Sequence, residues 1–231
     1  MIKVAVAGAA GRMGATTCAA VEGAPDMELV AKADPALGVD LEEALAAGAE
    51  VLVDFTTPDT ALANVLACVR AGVHAVVGTT GFDVQALPGA LGSVPDAPAP
   101  AAGANVLIVP NFAIGAVLMM RFAAIAATRM AKAEIVELHH DAKLDAPSGT
   151  AKLTAELMAR ASGNQPPPIH SVRLPGIVAN QEVILGDVGQ TLTIRHDTTG
   201  REAFMPGVLL AVRHVGELAS SPVIGLESLL F

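Results

Sequence analysis

The first two dozen residues constrain the fold more tightly than any other stretch. Ile2 to Ala7 is a short, mostly apolar run that ends in Gly8-Ala9-Ala10-Gly11-Arg12-Met13-Gly14, after which Ala15 to Val21 reads as a helix. A run of this kind without strict alternation predicts a parallel strand buried on both faces. Glycines between a strand and a helix permit a tight turn and let backbone N–H groups approach a pyrophosphate at the positive helix end. The spacing is G-x-x-G-x-x-G, so the turn alone leaves an ordinary glycine loop open. The next predicted strand, Met27 to Asp34, ends in an acid twenty residues beyond Gly14. That is where a carboxylate hydrogen-bonds the ribose 2′-hydroxyl of a dinucleotide. Pro35 follows instead of an arginine, which favours NADH, whereas Arg12 and Lys32 would tolerate the 2′-phosphate of NADPH.

The strand–helix rhythm continues. Val51 to Phe55 runs into Thr56-Thr57-Pro58-Asp59, with Thr57 as N-cap and Pro58 at the first helical position, and the helix extends to Ala71, stopped by Gly72. Asp54 reads as a structural cap. His74 to Val77 is another strand, ending in Gly78-Thr79-Thr80-Gly81. Loops at the carboxyl ends of parallel strands bind ligands, which makes Gly78, Thr79 and Thr80 candidates for the nicotinamide end. Pro88 to Ala104 is rich in proline and glycine and predicts a poor helix on the surface. Val106 to Val109 resumes as a strand and stops at Pro110-Asn111-Phe112, where the rhythm ends and a domain crossing is expected.

Beyond the crossing, Gly115 to Lys132 predicts a long helix with Leu118, Phe122, Ile125 and Met130 as its core stripe. Glu134 to His139 alternates as a strand. It delivers the most polar block of the chain, Glu137-Leu138-His139-His140-Asp141-Ala142-Lys143-Leu144-Asp145-Ala146-Pro147-Ser148-Gly149-Thr150-Ala151. Ser148 is a good N-cap for a helix through Ala161, and the first turn of such a helix favours a carboxylate ligand. Ile169 to Leu174, Gln181 to Leu185 and Gln190 to Arg195 are strand-like, with Gly186 to Gly189 linking the last two as a hairpin. Val208 to Leu218 predicts a last helix packed back on the first domain. The fold class expected is α/β: a Rossmann-like nucleotide-binding domain over 1–111 and 207–231, and an α+β substrate and oligomerisation domain with a mixed open sheet over 112–206.

Composition narrows the function. With 52% hydrophobic residues and a mean hydropathy of +0.54, the chain can bury a sizeable core. The net charge is -9 and no basic stripe occurs, which argues against nucleic acid and anionic membranes as partners. The longest apolar stretch, Ala113 to Ala127, is interrupted by Arg121 and is too short to span a bilayer. The N-terminus leads straight into a strand without signal-peptide anatomy, and Cys18 and Cys68 read as buried hydrophobes, so a cytoplasmic protein is expected.

A block holding two histidines, a lysine and two aspartates, in a chain only 16% charged, calls for chemistry. A zinc site fits poorly, because adjacent strand residues diverge and no third ligand stands at the right spacing. A serine nucleophile lacks G-x-S-x-G, and Lys152 misses S-x-x-K by one residue. A solvated loop remains open. Joined to a dinucleotide domain, the block fits hydride transfer to a small acid: Lys143 and a histidine bind a carboxylate or move a proton, and the Ser-Gly-Thr turn holds a second carboxylate.

Gly8 to Gly14, Gly78-Thr79-Thr80-Gly81-Phe82, Pro110-Asn111-Phe112, Glu137 to Ala151 and Arg201 to Gly207, in this order along nearly the whole chain, resemble the 4-hydroxy-tetrahydrodipicolinate reductase (dihydrodipicolinate reductase) family. The H-H-x-x-K-x-D-A-P-S-G-T-A block is highly specific to it. The resemblance implies a homotetramer built through the second domain's sheet, hinged domain closure, and NADH- or NADPH-dependent reduction of a small dicarboxylate in diaminopimelate and lysine biosynthesis. It makes His139 the proton donor/acceptor and Lys143 the proton donor. It assigns substrate contacts to His140, Gly149 and Thr150, to which the reading of the Ser-Gly-Thr turn adds Ser148. Cofactor contacts fall on Gly8, Ala9, Ala10, Gly11, Arg12, Met13, Asp34, Gly78, Thr79, Thr80, Val109, Pro110, Asn111 and Phe112. The chain departs from the family in a short link after Ala161 and in Val109, where alanine is usual. A nucleotide-sensing paralogue without catalysis, or a dehydrogenase of another small amino or oxo acid, are the alternatives.

Overall fold

The computed structural model describes residues 1–92 and 103–231, which divide into two compact units: Met1–Phe112 with Phe204–Phe231, and Ala113–Ala203. The first unit is built on a parallel sheet. Its strands are β1 (Ile2–Ala7), β2 (Met27–Ala33), β3 (Val51–Asp54), β4 (His74–Val77), β5 (Val106–Ile108) and β10 (Val223–Ile224), in the order β10-β5-β4-β3-β1-β2. Every neighbouring pair runs parallel. The helices α1 (Arg12–Glu22), α2 (Leu41–Ala46), α3 (Pro58–Ala71), α4 (Leu87–Gly92), α7 (Met205–His214) and α8 (Glu227–Leu230) belong to the same unit. Strands buried on both faces explain the unbroken apolar runs: Val4, Val6, Leu52, Val53, Val76 and Leu107 are essentially inaccessible. Each such side chain contributes roughly 1.5–3 kcal/mol on burial.

The glycine turn shows why those residues are glycines. Gly8 has φ +75°, and a Cβ there would lie 2.5 Å from the Phe55 carbonyl oxygen. A Cβ on Gly14 would lie 2.0 Å from the Gly8 carbonyl oxygen, so only glycine lets α1 begin this close to the end of β1. The helix starts at Arg12, inside the turn, earlier than the predicted Ala15. In α3, Thr57 is the N-cap, Pro58 opens the helix and Gly72 closes it in the left-handed conformation, as expected.

Three first-unit expectations need correction. Leu87–Gly92 is helical although it opens the proline- and glycine-rich stretch, because the buried Leu87 anchors it; residues 93–102 of that stretch lie outside the described residues. The helix from Met205 ends at His214, with Val215–Glu217 as a 3₁₀ turn. It is also not the last element, since β10 and α8 follow. Asn105 donates through Nδ2 to the Val215 carbonyl (2.9 Å), and the Val106 N–H donates to Ser221 Oγ (2.9 Å), pinning this tail to β5. Cys18 and Cys68 are free and buried. Among the described residues no helix is long and apolar enough to cross a membrane.

The second unit is a four-stranded sheet in the order β7-β6-β8-β9, from β6 (Lys132–His139), β7 (Ile169–Arg173), β8 (Ala179–Asp187) and β9 (Gln190–Thr198). β6 pairs parallel with β7 and antiparallel with β8, and β8 with β9 antiparallel, which makes the sheet mixed and open. The helices are α5 (Ile114–Ala127) and α6 (Gly149–Ser162). The expected core stripe on α5 is wrong: Phe122 is 49% and Ile125 56% exposed, and the buried face is Ala116, Val117, Met119, Met120 and Ala123. The helix is apolar nearly all round, so periodicity cannot choose a face, and the packing neighbours decide which side is covered. It also stops before Lys132, because the Thr128 hydroxyl bonds back to the Ile125 carbonyl (2.8 Å) and Lys132 already pairs with Gly186.

Because the Gly14 approach is backbone against backbone, Gly14→Val should lower the unfolding free energy by about 1–3 kcal/mol or more. A fall in the urea midpoint checks this, whereas an unchanged midpoint contradicts the packing described.

Candidate active site

In the first unit the carboxyl ends of the strands converge on a cavity of about 640 Å³, lined by Gly8, Gly11, Asp34, Val39, Phe55, Thr56, Thr57, Thr60 and Asn64 among others. That volume lies within the range of small-molecule and cofactor sites. The position follows from the topology, since open parallel sheets bind ligands at their carboxyl edge. Asp34 ends β2 at the cavity wall. Its Oδ2 accepts from the Ala10 N–H (3.0 Å) and its Oδ1 from the Ala36 N–H (2.9 Å), tying the glycine turn to β2. A carboxylate has about four acceptor positions, so capacity remains for a ribose hydroxyl. The N–H groups of Gly8 and Ala9 donate to the Ala33 carbonyl, and that of Gly11 to the Gly8 carbonyl. The amides of Arg12 and Met13 head α1, where no intrahelical acceptor exists. Lys32 is committed to Glu22 at 2.8 Å.

Asp54 is 1% exposed. Its Oδ1 accepts from the Thr56 N–H (2.8 Å), the Thr56 hydroxyl (2.7 Å) and the Thr79 hydroxyl (2.8 Å), and its Oδ2 accepts from Asn64 Nδ2 (2.8 Å). It therefore clamps the ends of β3 and β4 and the first turns of α3. Thr79 is buried with its hydroxyl spent on this clamp, while Gly78 donates to the Asp54 carbonyl (2.8 Å) and Thr80 is exposed. Val109 is buried and donates to Val77 (2.8 Å); Pro110 is exposed; Phe112 is buried with its ring 5.6 Å from that of Phe55. Of the sequence-derived cofactor residues, the cavity brings together Gly8, Gly11 and Asp34. Thr56, Thr57, Thr60 and Asn64 were missed, although their place after β3 marks them as edge residues.

In the second unit the polar block is organised by Glu137, whose side chain is 0% exposed. Strand alternation puts Glu137 and His139 on the same inward face of β6. Glu137 Oε1 accepts from Arg173 Nη2 (2.9 Å) and the Ser148 N–H (3.3 Å); Oε2 accepts from Arg173 Nη1 (2.9 Å) and pairs with His139 Nδ1 at 2.5 Å. Arg173 Nη2 also donates to the Asp145 carbonyl (2.7 Å), and Lys143 Nζ donates to Asp145 Oδ1 (2.7 Å). Ser148 Oγ accepts from the Ala151 N–H (3.2 Å) and caps α6, whose positive end is thereby fixed beside the network. His140 is exposed, and its carbonyl accepts from the Lys143 N–H (3.1 Å). Gly149 and Thr150 form the first turn of α6. The structure thus gathers His139, Lys143 and Ser148 around Glu137, Arg173 and Asp145. The latter three were given no role by sequence reasoning, although a glutamate at an inward strand position was the available signal.

Burial pushes the Glu137 carboxyl up, but the hydrogen bonds from Arg173, Ser171 and His139 outweigh it and hold it down at about 2. Burial pushes His139 below its usual range; Glu137 opposes this and the Lys143 and Arg173 cations reinforce it. A cation near a neutral imidazole, at the open end of a helix, is equipped to hold an anion and move a proton. Among the described residues no group of three or more His, Cys, Asp or Glu is placed to hold a metal ion.

A Rossmann-type sheet with a ligand cavity at its carboxyl edge, joined to a unit carrying a histidine–lysine pair, defines a pyridine-nucleotide oxidoreductase. The profile of the dihydrodipicolinate reductase N-terminus matches residues 2–90 and that of its C-terminus matches residues 115–230. The 4-hydroxy-tetrahydrodipicolinate reductase of Beutenbergia cavernae is 49% identical, covering 99% of this chain and 98% of its own. That of Nocardia farcinica is 48% identical over 94% of both chains. The dipicolinate-bound dihydrodipicolinate reductase from Paenisporosarcina sp. TG-14 superposes with a TM-score of 0.85 at 35% identity, covering 99% of each chain. The chain belongs to the dihydrodipicolinate reductase family.

For Glu137, whose folded value of about 2 lies below the ordinary 4.5, the stabilisation is fully present above about pH 4.5 and is lost as pH falls through about 2. Arg173→Gln leaves this buried carboxylate without its main partner. The unfolding free energy should drop by about 3–5 kcal/mol near neutral pH, with the deficit shrinking as acid protonates Glu137. Urea unfolding across the acid range checks it.

Proposed function

We propose that the chain reduces 4-hydroxy-tetrahydrodipicolinate to tetrahydrodipicolinate with NADH or NADPH, in diaminopimelate and lysine biosynthesis in the cytoplasm. Replacing a C–OH by a C–H takes one hydride from the nicotinamide and one proton, and the hydroxyl leaves as water. The observation that carries this reading is that one hydrogen-bond network, centred on the buried Glu137, reaches both His139 and, through Arg173 and Asp145, Lys143, beside the capped start of α6. In this reading Lys143 gives the proton and His139 exchanges protons through its outward ring nitrogen. His140, Ser148, Gly149 and Thr150 hold the substrate carboxylates. The first unit, with Gly8 to Met13, Asp34, Gly78 to Thr80 and Val109 to Phe112, is the nucleotide domain. The second unit is the substrate and oligomerisation domain.

The cofactor preference we infer is NADH. Asp34 stands at the cavity wall with its charge exposed to a 2′-phosphate, and Lys32, a cation that would offset it, is paired with Glu22. The assembly we infer is a homotetramer through the sheet face opposite α5 and α6. Alternation puts Val136, Leu138, Val172 and Ile184 on that face, among the ion pairs Glu134–His170 and Glu182–Arg195.

A coupled assay with dipicolinate synthase, aspartate semialdehyde and pyruvate should consume NADH, faster than NADPH at equal concentration. Lys143→Ala should lower kcat by about 10²–10⁴, and Asp34→Ala should narrow the gap between the two nucleotides. No turnover with either nucleotide would sink the reductase reading and favour a nucleotide-sensing protein. Light scattering should give four times the chain mass of 23.3 kDa.

A further inference from the structure

Among the described residues Glu137 is the one fully buried charge in the second unit's site, and a carboxylate without solvent must justify each of its acceptor positions. Both of its oxygens accept from the Arg173 guanidinium, one from each terminal nitrogen at 2.9 Å. A bidentate pair of this kind keeps the carboxylate ionised, and an ionised carboxylate has no proton to give. In the contact of 2.5 Å with His139, the proton therefore sits on Nδ1. The same carboxylate accepts from the Ser148 N–H, and the same guanidinium donates to the carbonyl of Asp145, the residue whose carboxylate holds Lys143.

We propose that Glu137 is the positioning residue of this site: it fixes the His139 proton on Nδ1, leaves Nε2 as the ring atom that exchanges a proton with the substrate, and through Arg173 holds the Asp145 end of the turn carrying Lys143. Of the two adjacent histidines, His139 is the one fastened in this way. The neighbouring His140 is exposed, and a ring without such an anchor has no fixed tautomer, so the network also selects His139 over His140 as the proton-handling histidine. The arrangement parallels carboxylate–histidine pairs elsewhere, in which the acid sets orientation and tautomer without itself taking the proton.

The groups facing His139 are Glu137 on its own strand, Arg173 on β7 and Lys143 from the turn, with Asp145 behind the last two. Among the described residues Glu137 is the only anion in direct contact with the ring. Removing its charge while keeping its shape should lower the pH at which His139 protonates, since burial, Lys143 and Arg173 all act against the imidazolium.

The inference rests on the reading of His139 as a proton-transfer group, and the experiment separates the two. Long-range ¹H–¹⁵N spectra of the full chain, with the His139 signals assigned through His139→Gln, report its tautomer without any turnover. The wild type should show Nδ1–H and an unprotonated Nε2 near neutral pH; Nε2–H in the wild type would overturn the proposal outright, with no variant required. Glu137→Gln should mix the tautomers, lower kcat roughly ten- to hundred-fold with little change in KM, and move the acid limb of the rate profile to lower pH. Glu137→Asp should recover part of the rate and the wild-type tautomer. A Glu137→Gln protein that keeps the wild-type tautomer and pH profile, however slow, would show Glu137 to be merely structural. Full activity in His139→Gln would instead remove the catalytic reading and leave the tautomer assignment standing.

Discussion

A buried carboxylate must be neutralised where it stands, and the second unit is shaped by that requirement at Glu137. An unpaired charge at this depth costs several kcal/mol. The partners that relieve it come from three directions: Arg173 from the end of β7, His139 from the same strand face, and the Ser148 N–H from the N-cap of α6. Meeting that one demand brings the histidine, the turn with Lys143 and the start of a 14-residue helix into one place. The site's geometry is a consequence of burying the glutamate rather than an addition to a finished fold.

The first unit repeats the device. Asp54 is as deeply buried at the end of β3, and its four donors draw the ends of β3 and β4 and the first turns of α3 together. Around that clamp lies the cavity edged by Gly8, Gly11 and Asp34. Backbone contact does the rest, because Gly8 and Gly14 let β1, β3 and α1 approach at distances no side chain allows. Each unit thus places a buried, hydrogen-bonded acid beneath a polar turn, with Asp54 held by neutral donors and Glu137 by a guanidinium.

Much of this was legible in the residues. The apolar runs, the glycine turn and the caps at Thr57, Gly72 and Ser148 report local physics, and local physics decided those elements. The mixed sheet followed from alternation and a glycine hairpin. What escaped depended on partners distant in the chain. Arg173 meets Glu137 only because β7 pairs with β6, and no spacing along the sequence encodes that register. The face of α5 was misread because apolar residues surround the helix, and only the shape of its neighbours decides which side is covered. The Thr79 hydroxyl donates to Asp54 on the neighbouring strand, a partner that the Gly-Thr-Thr-Gly turn does not indicate.

The central proposal is that the His139–Lys143 site receives a dicarboxylate in the nucleotide-loaded protein. Titration calorimetry of pyridine-2,6-dicarboxylate into NADH-saturated protein tests it most directly, with wild type and Lys143→Ala compared. Saturable binding at one site per chain, weakened roughly ten- to hundred-fold by the loss of one charged hydrogen-bond donor, is the predicted result. No binding to the wild type, or equal affinity in both proteins, would contradict it.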